Sequence, residues 1–73
     1  MEGVTVERGS AVSELIGVAD DFAARALLQE AIRDRARPGT AVHHMHAHSA
    51  TLWRQAESTL RALIQELEPG RAG

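Results

Sequence analysis

Cysteine is absent from this chain, which excludes disulfides and thiolate metal sites as sources of stability. Lysine is absent as well, so all eight basic residues are arginine; against ten acidic residues they leave a net charge of -2. That balance argues against a nucleic-acid binder whose affinity comes from a large positive field. No stretch approaches the roughly 18 uninterrupted apolar residues of a membrane span. The opening MEGVTVERGS has no cationic region followed by an apolar run, so a soluble cytoplasmic protein is the expectation. No glycine-rich phosphate loop follows a strand, and there is no strand framework to support one.

What is present reads as helix. The 73 residues make one small domain, of a size whose core alone supplies only about 3 to 5 kcal/mol, so oligomerisation or a metal held by His and carboxylates would have to assist. Residues 1–9 contain Val4, Thr5 and Val6, too short a run to pair as a strand, and are expected to form a loose arm. Ser10 can cap a first helix over 10–36, with Val12, Leu15, Ile16, Ala19, Phe22, Ala23, Ala26 and Leu27 on one face. Gly17 followed by Asp20-Asp21 is a weak point, and a break there would give a three-helix variant. Arg37-Pro38-Gly39-Thr40 is the clearest punctuation, since proline disfavours helix at the preceding residue and glycine permits the turn. Thr40 then caps a second helix over 41–68, and Pro69-Gly70 ends it, leaving 69–73 as a frayed tail.

Along the second helix Val42, Met45, Ser49, Leu52, Trp53, Ala56, Leu60, Leu63, Ile64 and Leu67 fall within about 120° of arc at 100° per residue. Arg54, Glu57, Ser58, Arg61, Gln65 and Glu68 take the other side and read as a solvated face. Two helices of similar length joined by a short loop predict an all-α antiparallel hairpin. Centring the turn at Pro38-Gly39 sets Ala19 and Ala23 near Ala56 and Ser58, and Val12, Leu15 and Ile16 near Leu60, Leu63 and Ile64. One seam cannot cover every apolar residue: Val18, Ala24, Leu28 and Ile32 are left over, with Trp53 and Ile64. Pairing two hairpins into a four-helix bundle covers them, and a homodimer is the expected assembly. Its core and interface residues are Phe22, Leu27, Leu52, Trp53, Ala56, Leu60, Leu63 and Ile64.

The second helix opens with His43, His44, His46 and His48. His44 and His48 share one flank of the apolar seam, while His43 and His46 share the other. Imidazole pairs at these spacings can chelate Zn, Ni or Cu. On the first helix the buried azimuth continues toward the turn as Glu30 and Asp34, which the same register sets opposite Ala47 and His43. Carboxylates and imidazoles facing inward are how helical bundles hold metals, so Glu30, Asp34, His43, His46, His44 and His48 form a candidate metal site. The plainer alternative is a hydrated bundle end in which the carboxylates pair with Arg33, Arg35 or the imidazoles. A third is a pH-sensing cluster, since imidazole changes charge between about pH 5 and 8.

Arg33, Arg35 and Arg37 could grip phosphate, but cations at a helix C-terminus are favourable without a ligand. His46 and Ser49 stand one helical turn apart, with neither an orienting third group nor oxyanion donors, so no enzyme is expected. The function expected is an oligomerising protein-protein interaction module serving as adaptor, regulator or accessory subunit. Transition-metal binding and nucleic-acid binding are the alternatives.

Overall fold

At Gly39 the backbone takes φ +88, the one positive φ among the described residues and a value glycine adopts without steric cost. Pro38 before it keeps Arg37 out of the helical region, and the chain reverses there. Thr40 secures the turn in both directions. Its hydroxyl donates to the Arg37 carbonyl at 2.7 Å, and the same oxygen accepts the His43 N–H at 3.2 Å. With φ -83 and ψ 159 it is an extended N-cap residue satisfying a donor that the helix cannot satisfy internally.

The two helices flanking this turn are α1 (Glu2–Arg35) and α2 (Ala41–Leu67). They belong to a computed structural model that describes the backbone of residues 2–68 and the side chains of residues 9–68. Boundaries at the turn agree with the sequence reading to within a residue. The frayed tail expected at 69–73 lies outside the described residues. At the other end the reading needs correction, because α1 begins at Glu2, with residues 2–9 continuing the helix expected to start at Ser10. Nucleating a helix is costly, whereas each added residue gains one bond, so a long helix extends readily through moderate formers such as Val4 and Val6. Nor does α1 break at Gly17. A Cβ built there would meet nothing within 4 Å, so this glycine sits on an open side and serves no close approach.

Three of the four residues buried between the helices are alanines. Ala19 and Ala26 are fully buried on α1, and Ala50 and Ile64 are buried on α2, while no large side chain is fully enclosed among the described residues. Phe22 and Trp53 tilt against one another with ring centroids 5.4 Å apart, and the Arg25 guanidinium lies 5.2 Å above the Trp53 ring. The molecule measures 56 × 22 × 12 Å. Its radius of gyration is 16.6 Å, whereas a compact domain of this length would have about 11 Å. It is a single layer of two helices, where domains ordinarily need two.

The rotation of α2 about its own axis differs from the sequence reading. With Ala50 and Ile64 turned to α1, the apolar arc of α2 is centred roughly a quarter turn away, at 100° per residue. Val42, Met45, Leu52, Leu63 and Leu67 therefore remain between 40% and 61% exposed. The opposite edge of the seam takes up Arg54, Glu57 and Arg61, which are partly buried and not the solvated face expected of them. The physical reason is that long side chains cover apolar seam with their methylene stems while their charged heads pair. Both edges of the seam can then be occupied at once, one by carbon and the other by ion pairs. Leu27 is 59% exposed and contributes little to the seam, whereas Phe22, Trp53, Ala56 and Leu60 are half-buried.

Candidate functional site

Three surfaces carry the chemistry of this hairpin, and each follows from how the helices are rotated. On one side runs a ladder of ion pairs. Arg54 donates to both oxygens of Glu30 across the helices, from Nε to Oε2 and from Nη2 to Oε1, each at 3.0 Å. The same guanidinium donates to Glu57 Oε1 at 3.1 Å. Arg61 continues the ladder, donating from Nε to Glu57 Oε2 at 2.8 Å and from Nη2 to Asp20 Oδ1 at 3.0 Å. Hydrogen bonds from Arg54 hold the Glu30 carboxyl below its usual range, and those from Arg61 and then Arg54 do the same for Glu57. Glu57 is the centre of the ladder, with a side chain only 16% exposed. This side is saturated with its own partners. The cross-helix arms to Glu30 and Asp20 were not legible in the sequence, because they depend on the rotation of α2.

At the turn end, the candidate metal residues are divided among other partners. Glu30 is held by Arg54, and Asp34 pairs with the adjacent Arg33 at 2.8 Å. That bond is the main cause of the lowered Asp34 carboxyl, with a smaller contribution from the field of His43. His46 Nδ1 and Gln29 Oε1 are hydrogen-bonded at 2.6 Å. Gln29 as the partner of His46 was not anticipated. The His43 ring stands edge-on to His44 with centroids 5.8 Å apart, and its Nδ1 is shielded from solvent with no hydrogen-bond partner. His44 and His48 are exposed. Among the described residues no group of three or more His, Asp or Glu side chains is gathered as a metal ion would require. Of the basic cluster, Arg33 is partly buried beside Asp34, while Arg35 and Arg37 are exposed.

The remaining side is apolar. Leu15, Val18 and Phe22 of α1 and Leu52, Ala56 and Leu63 of α2 line a shallow groove between the helices. Beyond it, Met45, Val42 and Leu67 extend the same strip toward both ends of α2. Here the sequence reading and the structure agree on the residues and differ on what they face. Leu52 and Leu63, expected in the core or an interface, are 52% and 44% exposed in the single hairpin, while Ile64 beside them is 5% exposed. No helix among the described residues is long and apolar enough to cross a membrane. No family model matches the chain, and no curated protein or solved structure is detectably similar to it.

Proposed function

We propose that this chain is a small helical interaction module that assembles through its apolar side, pairing into a four-helix bundle and serving as an adaptor, regulator or accessory subunit. The observation that carries this reading is the asymmetry of the hairpin. One long side is occupied by its own ion pairs, whereas the other leaves a continuous strip of Val42, Met45, Leu52, Leu63 and Leu67 in water. Fully burying one such side chain is worth about 1.5 to 3 kcal/mol, and about half of that remains unrealised at each of these positions. A single layer this thin acquires its second layer by association.

The test is a Leu52→Glu/Leu63→Glu double variant studied by sedimentation and by circular dichroism. Both positions are already half exposed, so a carboxylate at each leaves the seam of Ala19, Ala26, Ala50 and Ile64 intact. The expected result is loss of association and of the thermal stability that association supplies. An unchanged mass and an unchanged melting curve would overturn the proposal.

A further inference from the structure

Resting on that reading, we infer that the occupant of the apolar side is a second copy of this chain, with its α2 laid antiparallel on the first α2 about a twofold axis between Leu52 and Ala56. Four observations converge on it. The exposed strip repeats by heptads: Val42, Ser49, Ala56 and Leu63 are seven apart, and Met45, Leu52, Thr59 and Glu66 form a second row three residues on. Two rows offset in this way form a supercoiling seam that takes another helix along its whole length.

The sizes along this strip also complement themselves when the direction is reversed. With the axis between Leu52 and Ala56, Leu52 meets the partner's Ala56, Ser49 meets the partner's Thr59, and Met45 meets the partner's Leu63. Large side chains meet small ones at the axis, and small ones meet next to it, so the helices can approach closely there. A parallel arrangement sets Ser49 on Ser49 and Ala56 on Ala56, leaving voids along that row.

The ends of α2 supply the third observation. Its first turn holds no acidic residue and its last turn no basic one, so neither end of its dipole is compensated from within the helix. In the antiparallel pairing Val42, in the first turn, meets the partner's Glu66, an exposed acid beside the C-terminus. Glu66 stays at the C-terminal end of its own helix but gains the N-terminus of the partner's α2 beside it, where an acid is favoured, twice by symmetry.

Area is the fourth. A standard interface takes about 800 Å² from each partner, and a slab 56 Å long and 22 Å wide offers a face large enough to supply it.

Because the chain contains no cysteine, single introduced thiols report the register directly. Ser49→Cys and Thr59→Cys chains are prepared separately, confirmed helical, then oxidised alone and as an equimolar mixture. The mixture should yield covalent dimers joining the two variants, and neither variant alone should cross-link appreciably. Identical positions lie 10 residues out of register, about 15 Å along the helix, while a disulfide needs Cα atoms within about 7 Å. A second pair, Met45→Cys with Leu63→Cys, whose identical positions lie 18 residues or about 27 Å out of register, should behave like the first if one of those variants folds poorly. Cross-linking of Ser49→Cys alone as fast as the mixture would overturn this register. A wild-type chain that stays monomeric at every concentration would overturn the second copy as occupant. The interaction reading survives the first result, because loss of association in the Leu52→Glu/Leu63→Glu variant tests the apolar side in any register, whereas the second result removes the pairing into a four-helix bundle as well.

Discussion

Leu63 and Ile64 are neighbours in sequence yet occupy different environments, and substituting each by alanine separates the hairpin's own seam from the surface it offers to others. Either change removes three carbon atoms or their equivalent, worth about 0.8 kcal/mol each when buried. Ile64 is 5% exposed in the hairpin, so Ile64→Ala should cost about 2.5 kcal/mol, plus whatever cavity the seam fails to close. Leu63 is 44% exposed, and within one hairpin Leu63→Ala should cost about 1.3 kcal/mol. Association changes only the second figure, because the exposed part of Leu63 would then be buried by the partner. Thermal melts followed by circular dichroism over a wide range of protein concentration measure both. For a domain this small each kcal/mol moves the melting temperature by about 4 to 8 °C, so the two variants should differ by several degrees at high dilution and converge as concentration rises. Leu63→Ala costing more than Ile64→Ala at the highest dilution would refute the rotation of α2 described above. A gap that never narrows would refute association through this side.

Two glycines should respond oppositely to alanine. Gly17→Ala should stabilise by about 0.5 to 1 kcal/mol, since its surroundings are open and its conformation is helical. Gly39→Ala should destabilise by about 1 to 2 kcal/mol because φ +88 strains any residue with a Cβ, and denaturant titration distinguishes the two signs. Thr40→Ala removes the hydroxyl that caps α2 and should cost about 1 kcal/mol, with Thr40→Ser recovering most of it in the same assay. The ion-pair ladder should appear as acid sensitivity. Glu30 and Glu57 have folded pKa values below their unfolded ones, so their contribution is complete above about pH 4.5 and is lost as pH falls through the depressed values. Melting temperature should therefore drop on the acid side, and Arg54→Met should flatten that drop; equal slopes in variant and wild type would refute the ladder's role.

Local chemistry was sufficient for the turn and for α2, though not for the start of α1 at Glu2. The run Arg37-Pro38-Gly39-Thr40 specifies a reversal through proline's exclusion of helix, glycine's access to positive φ and the capping hydroxyl of threonine, all acting within a few bonds. The heptad-spaced apolar residues of α2 likewise mark one face of one helix, since 3.6 residues per turn leaves no other solution. Tertiary structure alone decided which neighbour that face meets. Rotating α2 by a quarter turn barely alters its own hydrogen bonds. Small side chains at Ala19, Ala26 and Ala50 allow close approach on one line, while Arg54 and Arg61 find Glu30 and Asp20 on α1 only in that rotation. For the same reason the histidine end could not be read from spacing. Carboxylates within reach of imidazoles are also within reach of arginines, and the bidentate, charge-assisted bond from Arg54 claims Glu30.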